Sequence, residues 1–244
     1  MKKYIIIALG ALLCFAAGCA SGAGSASNAE PGTLPDPTPP PTPDPAPVST
    51  PTPPADDEPV PDIITGKIEM EDGGIITFEL YPDIAPQAVR NFVSLARQGF
   101  YDGIRFHRIM HGFMIQGGCP YSRDPNEGDP GTGNPGYTIF GEFADNGFAN
   151  GLNHTRGVMS MARGPHNYNS AGSQFFICHA NASGLNGGYA AFGMVTDGMD
   201  VVDKIAETPN NGPNGSVALE DMPIIKTITI DGNFTMEEPD KIPR

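Results

Sequence analysis

The stretch FHRIMHGFMIQGG, which spans residues 106–118, decides how the rest of the chain is interpreted. Two short runs of strand-forming residues flank a glycine turn, a pattern that predicts two antiparallel strands. In ideal strands Arg108 shares a face with Phe106, and Gln116 shares a face with Met114. A guanidinium among large apolar side chains suits neither a solvated surface nor a core, because an unpaired buried cation is costly. The stretch therefore predicts a shallow apolar pocket with a fixed cation and an amide at its rim.

A second informative stretch is GSQFFI, residues 172–177. Together the two stretches resemble the two signature motifs of the cyclophilin family of peptidyl-prolyl cis-trans isomerases. The resemblance extends from about Ile63 to about Ile230 and keeps the family's order. It implies an enzyme that rotates the peptide bond preceding a proline, with no cofactor and no metal.

Alternation and glycine turns predict a domain built mainly from short β-strands. The predicted strands cover residues 65–71, 74–81, two runs within 106–118, 157–162, 173–178, 190–195 and 223–230. Two helices are expected, one from Pro86 to about Gly99 and another from about Met199 to Glu207. Many short strands with only two helices favour an antiparallel barrel. The resemblance implies the finer architecture, a closed eight-stranded antiparallel β-barrel capped by two α-helices.

The first residues are typical of an export signal rather than of a folded element. Lys2 and Lys3 give a basic start, and the apolar run 4–17 is only 14 residues long, too short to span a bilayer as a helix. Small residues precede Cys19, as in a bacterial lipobox. Residues 1–18 are therefore expected to be a lipoprotein signal peptide, and Cys19 to be lipidated and anchored to the outer face of the bacterial cell membrane. The alternative is a plain secretory signal with an incidental cysteine.

Residues 19–62 are expected to be the lipidated cysteine and a disordered, proline-rich spacer. Every second or third residue between Pro31 and Pro61 is proline, which excludes helix and sheet and favours polyproline II. About 30 such residues reach on the order of 90 Å at most. A rival interpretation makes this tract a docking ligand, or a substrate of its own domain. Residues 63–236 form the expected cyclophilin-like domain, and the tail 237–244 is expected to fray.

Charge and cysteine usage exclude several classes of function. Residues 63–244 carry 12 basic and 21 acidic side chains, a formal charge of −9, which argues against nucleic acid and anionic lipid head groups as partners. Cys119 and Cys178 could form a disulfide in an exported protein, although free thiols are favoured. His107 and His111 do not converge in a strand and turn as they would on a helix, so no metal site is expected.

The resemblance also assigns roles to individual residues. Arg108 is the expected catalytic cation, and Gln116 is expected to bind the substrate backbone and to orient Arg108. The expected substrate-binding set also contains Phe113, Met114, Phe176 and Leu185 around the proline ring, the backbone of Ala162 and Arg163, Gly131, Thr132, Gly133 and Gln174 in a neighbouring pocket, and Tyr189 where many members have His.

Three features depart from the family's pattern. Gly184 stands where a Trp is common, so weak cyclosporin binding is expected. Arg163 replaces a common Asn that contributes mainly its backbone. The loop at residues 164–171 is about two residues longer than usual, which leaves the preference for the residue before the proline open.

Two functions from different classes fit these residues. The first is a membrane-tethered, monomeric isomerase that acts on proline-containing polypeptides as exported proteins fold. The second is a binding module that uses the same groove without catalysis, and it would tolerate the loss of Arg108. Hydrolase chemistry has no support, because no Gly-x-Ser-x-Gly elbow and no set of paired carboxylates occurs.

Overall fold

The computed structural model describes residues 59–124, 126–210 and 212–244 of the chain. The predictions for residues 1–58, which include the signal peptide, Cys19 and most of the proline-rich spacer, lie outside these described residues. Within the described ranges, no helix combines the length and the apolar character that crossing a membrane requires.

The predicted strands and both predicted helices form within a few residues of their expected bounds. The strands are β1 Ile64–Met70, β2 Ile75–Leu80, β3 Arg108–Met110, β4 Met114–Gly117, β5 Tyr137–Thr138, β6 Val158–Met161, β7 Phe175–Cys178, β8 Ala191–Asp197, β9 Ile225–Ile230 and β10 Ile242–Pro243. The helices are α1 Pro86–Arg97 and α2 Met199–Ala206. Strands β5 and β10 have two residues each and were not predicted, because no alternating pattern marks them.

Eight strands form one curled antiparallel sheet in the order β3-β4-β7-β6-β8-β2-β1-β9. The prediction of a mainly β domain with two helices is confirmed, but the prediction of a closed barrel is wrong. Within the described residues the edge strands β3 and β9 form no ladder with each other. The chain before β3 does meet the chain around Pro223 to Ile225, through the isolated bridge from Arg105 to Ile224 and three backbone hydrogen bonds of 2.8–2.9 Å. The sheet is therefore a half-barrel with two edges.

The free edge of β3 is covered by the chain that follows α2. Val217 donates its backbone N–H to the carbonyl of His107 at 3.1 Å, and Ser216 forms an isolated bridge with Arg108. This loop, rather than β9, bonds to the edge of β3. It also brings loop residues next to Arg108, which matters for the site described below.

Helix α1 supplies the centre of the core. Phe92 packs on the rings of Tyr101, Phe175 and Phe192 at centroid distances of 5.2, 5.3 and 5.3 Å, and its side chain is fully buried. The apolar stripe that indicates this helix in the sequence consists of Val89, Phe92, Val93 and Ala96. All four side chains are buried, so this face of α1 packs on the sheet. A second apolar cluster, around Met114 and Phe176, is separate from this core and forms the floor of the site.

The C-terminal tail does not fray, so that prediction is wrong. Strand β10 pairs with β5, with Ile242 opposite Thr138. Gln87 exchanges two hydrogen bonds of 2.7 Å with Asp240, and Lys241 lies 5.0 Å from the centroid of the Tyr137 ring. These contacts fasten the tail to α1 and β5.

Candidate active site

Three neighbouring strands put the main side chains of the site in one row. Arg108 of β3 lies opposite Gln116 of β4, and Gln116 lies opposite Phe176 of β7. Side chains at directly opposed positions share a face of the sheet. A cation, an amide and an aromatic ring are thus held side by side by backbone pairing rather than by loops.

The guanidinium of Arg108 is half-buried and held from two sides. Its Nε donates to the Asn214 carbonyl at 2.9 Å, its Nη2 to Asn214 Oδ1 at 3.0 Å, and its Nη1 to Gln116 Oε1 at 3.2 Å. Its other contacts are the sulfurs of Met110 at 3.1 Å and Met114 at 3.6 Å, which are weak acceptors. Burial lowers the pKa of Arg108, but an arginine stays charged at neutral pH because its ordinary pKa is above about 12.

An apolar slot of about 300 Å³ lies beside this cation. Its lining contains every residue predicted to surround the proline ring: Phe113, Met114, Phe176 and Leu185, together with Tyr189, Arg108, Gln116, Ala162 and Arg163. Phe113 reaches the slot although alternation would send it away from Met114. Phe113 lies in the turn before β4, so strand alternation does not apply to it. Its backbone carbonyl accepts the N–H of His179 at 3.0 Å, which fixes the direction of the residue.

A neighbouring pocket of about 320 Å³ shares Gln116, Ala162 and Arg163 with the slot. The remaining predicted residues, Gly131, Thr132, Gly133 and Gln174, line this second pocket. Gln116 Nε2 donates to Gln174 Oε1 at 3.0 Å, and Gln174 Nε2 donates to the carbonyls of Gly131 and Gly133 at 2.8 and 2.9 Å. The two amides thus connect Arg108 to the wall of the second pocket.

Residues 162–163 were predicted to pair with a substrate strand, but fewer of their backbone groups are free than the prediction assumed. The Ala162 N–H already donates to the Gln174 carbonyl at 2.9 Å. A substrate backbone is therefore left with the Ala162 carbonyl and the Arg163 amide. The Arg163 side chain, expected to contribute little, lines both pockets.

Sequence reasoning misplaced one residue and missed two. Phe106 is fully buried in the main core and does not share the face of Arg108, because β3 begins only at Arg108. Asn214 was missed, although the turn sequence around it was visible. His154 was missed without any local signal; its ring stacks on Phe176 at 5.9 Å and its Nε2 lies 3.0 Å from Ser160 Oγ.

Two cysteines near the site, Cys119 and Cys178, are buried. Cys119 and Cys178 are free thiols, and burial raises the pKa of Cys178 to about 12. Cys119 Sγ instead accepts the N–H groups of Gly131 and Gly133 at 3.1 and 3.3 Å. Among the described residues, no group of three or more His, Cys, Asp or Glu side chains could hold a metal ion.

An apolar slot, a fixed cation at its rim and strand edges for a peptide backbone define a protein that binds and twists a peptide rather than one that breaks a bond. The comparisons identify the family. The model of the cyclophilin-type peptidyl-prolyl cis-trans isomerase family matches residues 65–230, and the chain belongs to this family. It is accordingly a peptidyl-prolyl cis-trans isomerase.

Relatives and solved structures agree with this assignment. The chain is 44% identical over 156 residues to peptidyl-prolyl cis-trans isomerase B of Bacillus subtilis, covering 64% of this chain and 95% of that protein. It is 40% identical over 149 residues to an isomerase of Synechococcus elongatus, covering 61% and 91%. A Cryptosporidium parvum cyclophilin crystallised in the presence of the dipeptide Ala-Pro is 31% identical, with a TM-score of 0.56, covering 69% of this chain and 99% of that one.

Proposed function

We propose that Arg108 accelerates the rotation of X-Pro bonds by binding the twisted amide better than the planar one. The uncatalysed barrier is near 20 kcal/mol because the amide C–N bond has partial double-bond character. Rotation removes this resonance and leaves a lone pair on the prolyl nitrogen. A cation next to that nitrogen stabilises the twisted state selectively, which is the condition for catalysis.

The observation that carries the proposal is the way in which Arg108 is held. Oxygen acceptors of Asn214 and Gln116 fix its direction, while two of its contacts are only the thioether sulfurs of Met110 and Met114. Donors directed at weak acceptors lose little when a better acceptor arrives. The developing lone pair of the prolyl nitrogen is such an acceptor.

The slot and the second pocket hold the rest of the substrate while the bond turns. Phe113, Phe176 and Leu185 grip the proline ring through apolar contact. Gln116 donates to or accepts from the substrate backbone, and the edge at residues 162–163 binds it as an added strand. Holding one side of the amide while the other rotates requires no covalent step and no cofactor.

The first prediction concerns this cation. Replacing Arg108 by Ala should lower kcat/KM by about 10²-fold, which is roughly 2.7 kcal/mol of transition-state stabilisation. Arg108→Lys should recover only part of this loss, because an ammonium keeps the charge but not the fork of donors. The measurement is cis-trans exchange of an Ala-Pro tetrapeptide, with Arg90→Ala as a control, since Arg90 lies on α1 and pairs with exposed Glu237.

The competing proposal for this residue is that Arg108 belongs to the groove but takes no part in catalysis. It predicts that Arg108→Ala exchanges the peptide as fast as the native protein and still binds it. Peptide titration followed by NMR separates the two proposals, because it reports binding whether or not the bond turns. Full activity in Arg108→Ala would remove this residue from the mechanism.

We further propose that the isomerase is exported and tethered, and that it acts as a monomer on proline-containing segments of exported proteins. The basic start, the short apolar run and the lipobox-like residues before Cys19 support a signal peptide at residues 1–18 and a lipid on Cys19. The proline-rich composition of the spacer supports a domain held away from the membrane.

The second prediction tests this anchor. The intact mass of protein extracted from membranes should correspond to a chain that begins at a lipid-modified Cys19. Cys19→Ala should leave the protein uncleaved at this position and without lipid, whereas Cys14→Ala should change nothing. An unlipidated chain in the native protein would instead support the plain secretory signal.

A further inference from the structure

Within the described ranges, the second pocket is lined by basic and not by acidic side chains, in an otherwise acidic domain. Two arginines, Arg163 and Arg244, belong to its lining, and no carboxylate side chain of the described residues does. Residues 63–244 as a whole carry nine more acidic than basic side chains. The charged side chains in this lining are therefore opposite in sign to the net charge of the domain.

Arg163 is fixed in place by aromatic rings. Its guanidinium carbon lies 4.6 Å from the ring centroid of Tyr189, 5.0 Å from that of Tyr168 and 5.2 Å from that of Phe143. Contacts of this kind attract a cation to the faces of the rings and restrict its side chain. The direction of the guanidinium is thus set before any ligand binds.

Most of the hydrogen-bonding capacity of this guanidinium is unused. Its Nε donates to the Gly188 carbonyl at 2.8 Å and its Nη1 to the Gly164 carbonyl at 3.0 Å. An arginine has five N–H donors, so three are left. In the described part of the chain Arg163 has no ion pair within 4.0 Å. The exposed carboxylate of Asp145 approaches the same side of Gly188 as Arg163 Nη2 but forms no such pair with it.

Arg163 lies where the residues that precede the substrate proline are expected to bind. It lines both the apolar slot and the second pocket. A peptide whose proline fills the slot and whose preceding residues enter the second pocket must pass Arg163. The residues that depart from the family's pattern also meet here, because Tyr168 belongs to the longer loop at residues 164–171 and packs over Arg163.

From these contacts we infer that Arg163 makes the enzyme selective for X-Pro substrates with an acidic side chain shortly before the proline. A carboxylate accepts two parallel N–H bonds from an arginine, which matches the unused donors. Arg244, brought to the pocket by the pairing of β10 with β5, places a second guanidinium in its lining. The inference deepens the proposed function and depends on it.

The experiment compares three peptides, Glu-Ala-Pro-Phe, Gln-Ala-Pro-Phe and Lys-Ala-Pro-Phe, on the same enzyme. The rate constant kcat/KM should be about fivefold higher for the Glu peptide than for the Gln peptide, and lower still for the Lys peptide. The readout is the ratio of the Glu rate to the Gln rate, so any general loss of activity in a variant cancels. Added salt should reduce this ratio, because it screens an ion pair at the surface.

Variants locate the source of the ratio. Arg163→Gln should bring it to about one, and Arg163→Lys should keep part of it because the charge remains. Tyr168→Leu, outside both pockets, should lower the ratio by freeing the guanidinium. The decrease of this ratio in Arg244→Gln measures how much Arg244 contributes to the preference for the Glu peptide.

The outcomes separate this inference from the function on which it rests. If no peptide is isomerised faster than in water, the proposed function fails with it. If the native enzyme isomerises all three peptides at equal rates, or if Arg163→Gln keeps the native ratio, only the inference is wrong.

Discussion

Asn214 is the residue on which the orientation of the catalytic cation most directly depends. It accepts from Arg108 with both its carbonyl and its side-chain oxygen. Its φ of 58° is the only positive φ of a non-glycine residue in the described ranges, and asparagine tolerates this region better than most residues. The next residue, Gly215, has no Cβ because one would lie 2.6 Å from the carbonyl oxygen of Ile109. The turn is therefore shaped to bring two oxygens to Arg108.

The third prediction is that Asn214 positions Arg108 and does not merely stabilise the fold. Asn214→Gly keeps the positive φ and the carbonyl acceptor but removes Oδ1, so kcat should fall by about tenfold while KM changes little. Asn214→Asp restores an oxygen acceptor and should recover most of kcat. Exchange kinetics on a peptide series and melting temperatures check both variants. A positioning role would be contradicted if kcat fell equally in Asn214→Gly and Asn214→Asp, or if the fall in kcat followed the fall in melting temperature.

The sequence predicted which residues line the site, but not which distant residues hold them in place. Arg108, Gln116 and Phe176 could be grouped because strand alternation and the motifs are local patterns. Asn214 is 106 residues from Arg108, and no pattern within a turn indicates which distant side chain it will bind. Phe106 was assigned to the wrong face because alternation was extended beyond the first residue of β3.

At the scale of elements, the start of α1 illustrates the same limit. Ala85 provides no side-chain cap, and the first turn has no acidic residue. Glu142 supplies the missing acceptors, since its two carboxylate oxygens accept the N–H groups of Gln87 and Ala88 at 2.8 and 2.9 Å. Pro86 and the apolar stripe sufficed to predict the helix, but the residue that completes its first turn lies far away in sequence and could not be predicted.

The edges of the sheet follow from contacts of the same long-range kind. Periodicity predicts that β3 and β9 are strands, but not which chain segment covers the edge of β3. The loop at residues 212–217 covers that edge. The same loop contains Asn214, so one segment both covers the edge of β3 and holds the catalytic cation.

At the scale of the whole molecule, one buried histidine links stability to pH. His107 is 5% exposed, and both of its ring nitrogens are buried. Burial lowers its pKa to about 4, from an ordinary value near 6.5. The folded protein therefore keeps this imidazole neutral in a range where the unfolded chain binds a proton.

The final prediction follows from this difference in proton binding. Above pH 6.5 both states hold His107 neutral, and its contribution to the free energy of unfolding is fully present. As the pH falls from about 6.5 to about 4, only the unfolded chain takes up the proton, so stability should decrease by about 3 kcal/mol in total. Burial lowers the pKa of His154 in the same direction, so the test must isolate His107. Urea unfolding at a series of pH values should give a shallower acid loss for His107→Gln, whereas His166→Gln, which alters an exposed histidine, should follow the native protein. Parallel curves for the native protein and His107→Gln would assign the acid loss to other groups.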